Sequence, residues 1–247
     1  MESQYEKLKS CCVRSKSPTR GEDLSECQLE INKQRTDFIN KHRDSEISEL
    51  LQLVSLYGPK CQKNDQFCFD QFCFDKFHED FVNRDIFISV FSWAVPDTNT
   101  LQSIVNFCNS DKVLEVGTGL GLWAHLLSKM GLDIIATDVG TTGKYYSTNS
   151  ILAGWSNVNI QSYDEAINSN NDCNVLLIIW PPMTNFANKA LKMFNGEKLI
   201  YIGEGKGGCT ANDKFFKRLN KETWNIERIG IPIFYGIHDT MWLCTKR

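Results

Sequence analysis

The chain has 247 residues, 42% of them hydrophobic and 23% charged, with a formal net charge of −3; these values exclude a disordered or fibrous chain, and the length allows one good-sized core or a catalytic domain with an accessory segment. With 27 basic against 30 acidic residues, the chain lacks the cationic excess by which proteins usually grip nucleic-acid phosphates, so a small-molecule partner is favoured over a polynucleotide.

The first residues, Met1-Glu2-Ser3-Gln4-Tyr5-Glu6-Lys7, are charged and lack the apolar core of a secretory signal. No stretch approaches the roughly 20 apolar residues of a bilayer span, so the expectation is a soluble protein of the cytoplasm, with the nucleus left open and no membrane partner. The 10 cysteines then read as thiols rather than a disulfide framework. No C-x-x-C pair occurs, so no metal site is expected. Residues 1–20 are polar and basic and are read as a mobile tail. From 21 to 83 a helical extension is expected: Leu24, Cys27, Ile31 and Phe38, then Ile47, Leu50, Leu51 and Val54 recur at three- and four-residue steps until Gly58-Pro59 stops them. That extension carries a pentapeptide duplicated in tandem, Asp65-Gln-Phe-Cys-Phe69 and Asp70-Gln-Phe-Cys-Phe74. It is read as a loop or helix whose phenylalanines cover the core, with a docking surface as the alternative.

Residues 84–247 form the main domain. Thr98–Phe107 reads as a helix, followed by apolar runs at Lys112–Val116, Asp133–Thr137, Asn157–Gln161, Asn174–Ile179, Lys198–Ile202, Asn225–Ile229 and His238–Cys244, most of them separated by helical segments. This alternation predicts an α/β fold with a Rossmann-like, seven-stranded, mostly parallel sheet. The last two runs leave no room for a crossover helix between them, so they pair antiparallel.

The most informative stretch is Val113-Leu-Glu-Val-Gly-Thr-Gly-Leu-Gly-Leu-Trp123. A buried strand runs into Glu115, glycines fall at Gly117, Gly119 and Gly121 around Thr118, and an apolar helix follows. Such a turn lets backbone approach a ligand closely and offers helix N–H groups to an anionic moiety. A dinucleotide fingerprint would need its third glycine at position 122, which is Leu122. Asp138 closes the next strand, 138 − 115 = 23 positions beyond Glu115, where a carboxylate can accept hydrogen bonds from ribose hydroxyls.

Later segments hold candidates for chemistry. The fourth strand ends in Trp180-Pro181-Pro182-Met183. After the fifth, Gly203-Glu204-Gly205-Lys206-Gly207-Gly208 opens a helix at the sheet edge where ligands of open α/β folds bind; Glu204 there can orient an acceptor or take its proton. His238, beside Asp239 in the terminal hairpin, is a second candidate base.

The pattern E-x-G-x-G-x-G resembles that of class I S-adenosylmethionine-dependent methyltransferases. Together with Ser-Trp-Ala-Val-Pro at 92–96, Trp-Pro-Pro, Gly-Glu-Gly-Lys-Gly-Gly-Cys-Thr and Gly-Ile-His-Asp, it marks a little-characterised group of that superfamily, over Arg84 to Arg247. The resemblance implies S-adenosyl-L-methionine as cofactor, held by Glu115, Gly117, Thr118, Gly119, Gly121, Trp123 and Asp138. It further implies Asp164 near the adenine, and Trp93 closing over the methionine end. Trp180, Pro181 and Pro182 occupy the place of the [D/N/S]-P-P-[Y/F/W] motif of enzymes that methylate base amines. Indole offers only an N–H, so this departure turns the expectation toward methylation of an N or O atom on a small molecule. RNA or DNA adenine methylation and a non-catalytic cofactor-binding role are the alternatives.

Overall fold

The computed structural model describes residues 24–59, 83–140 and 148–247. The expected tail at 1–20 and the Phe-Cys-Phe repeat lie outside the described residues.

Strand β1 (Val113–Val116) is buried along its whole length, as an apolar run covered on both faces must be. It pairs in parallel with β2 (Ile134–Asp138) on one side and β4 (Val175–Ile179) on the other. Outward from these lie β3 (Val158–Ile160) beside β2 and β5 (Lys198–Gly203) beside β4, both parallel. β7 (Thr240–Lys246) then runs antiparallel between β5 and β6 (Trp224–Gly230). The resulting order is β3-β2-β1-β4-β5-β7-β6, the seven-stranded, mostly parallel Rossmann-like sheet with an antiparallel last strand expected from the sequence. Strand order reverses between β1 and β4, the place where open α/β sheets bind ligands at their carboxyl edge.

The period-two alternation of each strand sorts its side chains onto two faces. Val113, Val175, Leu177, Ile200 and Ile202 join one core cluster, while Leu114, Val116, Leu176, Ile178, Leu199 and Tyr201 join the other. The second face is covered by α6 (Tyr163–Ser169), α7 (Phe186–Met193) and α8 (Asp213–Arg218), which contribute Ala166, Ala187, Ala190, Leu191 and Phe215. The first face takes α3 (Thr98–Cys108), α4 (Leu122–Lys129) and α5 (Thr148–Leu152), and beyond them the helical extension itself.

That extension folds as two helices, α1 (Leu24–His42) and α2 (Ile47–Tyr57). Their buried Ile31, Phe38, Ile39, Leu50 and Val54 belong to the same cluster as the sheet. The Phe38 ring meets Phe91 at 5.7 Å and Trp155 at 6.5 Å, both edge-on. Each such fully buried side chain contributes roughly 1.5–3 kcal/mol. No helix among the described residues is long and apolar enough to cross a membrane.

Candidate functional site

At the β1–α4 turn, Gly117, Gly119 and Gly121 adopt φ of 75°, 60° and 76°, a region that costs other residues about 1–2 kcal/mol. Space is also short at two of the three, most of all at Gly121. A Cβ on Gly121 would lie 2.8 Å from the Ser156 Cβ, and one on Gly117 would lie 3.3 Å from the Phe186 ring. The turn is stitched to β2, with the Gly117 and Thr118 N–H groups donating to the Thr137 carbonyl.

Asp138, at the tip of β2, faces this turn and is 6% exposed. Its Oδ2 accepts from the Gly119 N–H and its Oδ1 from the Gly140 N–H, both at 3.0 Å. Each carboxylate oxygen keeps one further lone pair for a ligand hydroxyl. Around it, buried Glu115 Oε2, Thr118 Oγ1 and Gln161 Oε1 have no well-formed hydrogen bond among the described residues. Burial, aided by the charge of Asp138, pushes the Glu115 carboxyl up to about 8 against the opposing Thr118 hydroxyl and Ala124 N–H. Buried oxygens without donors are costly, and here they cluster at the carboxyl edge of β1 and β3. Val139 and Ile160, neighbours of Asp138 in sequence and in register, are 52% and 40% exposed.

Other expected cofactor residues are placed differently. Trp123 is 2% exposed and its Nε1–H donates to the Ala94 carbonyl at 3.3 Å. It is a core side chain that anchors the segment before α3, which corrects its expected cofactor role. Asp164 is exposed in the first turn of α6, where the Ser162 side chain, ahead of N–H groups at the helix start, holds its carboxyl below the ordinary value. Gln161, whose N–H continues the β2–β3 pairing by donating to the Asp138 carbonyl, lies nearer the glycine turn's acid. Trp93 stacks on Trp180 with ring centroids 4.8 Å apart and planes 14° apart.

Trp180 marks a second locus at the tip of β4. It has φ 48°, a strained value for a bulky residue. Two hydrogen bonds hold it there: its backbone N–H to the Ile202 carbonyl at 2.8 Å, and its Nε1–H to Asp239 Oδ2 at 2.7 Å. The Arg84 guanidinium lies 4.9 Å from the Trp180 ring centroid and 5.5 Å from that of Trp93. The Pro181 carbonyl accepts from the Ala211 N–H at 3.0 Å, so it is engaged within the fold, and Pro182 and the 62% exposed Met183 continue along the surface.

Glu204 is corrected as well. It is 6% exposed, and its oxygens accept from the Cys209 N–H at 2.6 Å and the His238 N–H at 3.1 Å. Burial raises its pKa, but these donors outweigh burial and hold the carboxyl below the ordinary value. A carboxylate so held is a poor proton acceptor; it fastens the β5–α8 loop to the β6–β7 hairpin. Gly208 permits this, since a Cβ there would lie 2.6 Å from Glu204 Oε2. The His238 side chain is 79% exposed, with Nδ1 3.5 Å from Glu204 Oε1. Asp239, by contrast, is 5% exposed, and sequence reading passed over it because only the structure places it against Trp180. A groove lined by Phe107, Trp224, Leu243 and Arg247 lies at the opposite end of the sheet and includes none of these residues.

No protein-family model and no curated protein matches the chain. Similar solved structures include a protein of the NADB-Rossmann superfamily from Streptococcus agalactiae, 17% identical over 62% of this chain and 70% of its own, with a TM-score of 0.42. Magnesium protoporphyrin IX methyltransferase from Synechocystis with bound SAM is 14% identical over 86% of this chain and 97% of its own, at 0.46. TehB from Haemophilus influenzae is 13% identical over 66% of this chain and 67% of its own, at 0.42.

Proposed function

We propose that the chain is an S-adenosylmethionine-dependent methyltransferase acting on an N or O atom of a small molecule. One observation carries this reading: the left-handed glycine turn, the Asp138 carboxylate bonded to its Gly119 amide, and the incompletely bonded buried oxygens Glu115 Oε2 and Thr118 Oγ1 converge at the switch point.

These residues fit the cofactor chemically. Asp138 would accept from the ribose hydroxyls, Glu115 would receive the ammonium of the methionine moiety, and Gln161 Oε1 would accept from the adenine amine. The exposed Val139 and Ile160 suit the faces of a base. Bound there, S-adenosylmethionine supplies a methyl group on a cationic sulfur. The chain's own contribution is mostly to position an acceptor, which can account for much of the barrier without a catalytic triad.

The small-molecule reading is supported by charge and by the β4 tip. The Trp180 indole donates to Asp239 and the Pro181 carbonyl is taken by Ala211, so neither atom matches the role that amine-methylating sites give those positions. Isothermal calorimetry tests the cofactor assignment: S-adenosylmethionine binds the wild type and not Asp138→Ala. Incubation of a small-molecule cell extract with isotopically labelled cofactor then shows transfer by mass spectrometry. Absence of binding at millimolar cofactor would refute the reading.

A further inference from the structure

Asp239 joins two facts that the cofactor half does not explain. It is 5% exposed, yet only Oδ2 is hydrogen-bonded, to the Trp180 indole, while buried Oδ1 has no partner among the described residues. The residue was also drawn there from far along the chain, 59 positions from Trp180, and the segment that carries it is clamped by Glu204 through the His238 N–H. A carboxylate held by one hydrogen bond and denied a second is costly, unless a donor arrives.

Resting on the methyltransferase reading, we propose that Asp239 Oδ1 binds the N–H or O–H hydrogen of the methyl acceptor, which enters past the half-buried indoles of Trp93 and Trp180. The donor is uncharged. Positive charge is already present in the Arg84 guanidinium, which stands against both indoles and acts electrostatically on Asp239, so a phenol, amide or aromatic amine is favoured over an ammonium. Burial, foremost, pushes the Asp239 carboxyl up to about 6. The Trp180 N–H, Arg84 and His238 oppose the rise and Glu204 adds to it, and this carboxyl acts electrostatically on the Tyr201 hydroxyl, which is itself bonded to the Glu204 carbonyl and to Thr210. The oxygen is therefore ionised, and an acceptor only, at neutral pH.

The probe is phenol, with anisole as the matched molecule lacking a donor, and the readout is the indole Nε1–H resonance of Trp180, identified by its loss in Trp180→Phe. Phenol at millimolar concentration should shift this resonance in the wild type, anisole should not, and the effect should fade below about pH 6. In Asp239→Asn the amide oxygen retains the indole bond and the amide NH2 takes the place of the free oxygen, so phenol affinity should fall roughly tenfold or more while the indole resonance persists. Equal responses to phenol and anisole, equal phenol affinity in Asp239→Asn, or no response at all would overturn the proposal. Calorimetry with S-adenosylmethionine on the same samples separates the two readings. Cofactor binding with an Asp239-independent phenol response sinks only the acceptor site, whereas Asp239-dependent phenol binding without cofactor binding sinks only the methyltransferase reading.

Discussion

The glycine turn and the tip of β4 sit at the same edge of one sheet but are built in opposite ways. The turn is local: Glu115 to Asp138 spans two neighbouring strands, and backbone amides make most of its bonds. The β4 tip is assembled from Arg84, Trp93, Trp180 and Asp239, which meet only in the folded chain and interact through side chains. A ligand that must be gripped the same way by many proteins suits the first construction. A ligand particular to one protein suits the second.

The comparison breaks most sharply at Asp138. Asp138→Ala removes the carboxylate contacts to Gly119 in the turn and to Gly140 and should weaken S-adenosylmethionine binding by about a hundredfold or more, beyond detection in calorimetry, while leaving the Trp180 indole resonance in place. Next in size, Gly121→Ala forces a Cβ into the left-handed region and against Ser156, and should cost about 2–3 kcal/mol in urea unfolding. Glu115 gives a pH signature. Well below its ordinary value of 4.5 the carboxyl is protonated whether the chain is folded or not. As pH rises toward about 8 the unfolded chain releases that proton and the folded chain keeps it, so stability without cofactor falls across this window. Glu115→Gln should flatten the slope, as followed by thermal unfolding at successive pH values. The smallest effect belongs to Trp180→Phe, which keeps the ring but deprives Asp239 Oδ2 of its donor, and should cost about 1–2 kcal/mol.

The same contrast decides what could be read from sequence. The seven strands, the antiparallel terminal pair and the glycine turn were legible because apolar runs, helix-forming segments and glycine spacing are local signals, and Asp138 follows from its spacing. The β4 tip was not. Trp180-Pro181-Pro182 drew attention, but nothing in the sequence says that its indole meets Asp239 or that Trp93 stacks on it. Glu204 and His238 were singled out by residue type and position at the edge, whereas their neighbours Gly208 and Asp239 hold the information. The glycine lets Glu204 collapse onto its own loop, and the aspartate turns inward while His238 turns out. Trp123 was misread because an aromatic beside a glycine motif looks the same in sequence whether it lines a ligand or the core.

β7 is wedged between β5 and β6, so β6 lies one strand away from β5, and the β6–β7 connection turns at the carboxyl edge, where Gly203 and Gly230 both pair with Thr240. During synthesis, everything from Glu115 to Gln161 is therefore complete well before Asp239 emerges. The acid of the second locus is thus the last of its parts to be synthesised, after Arg84, Trp93 and Trp180.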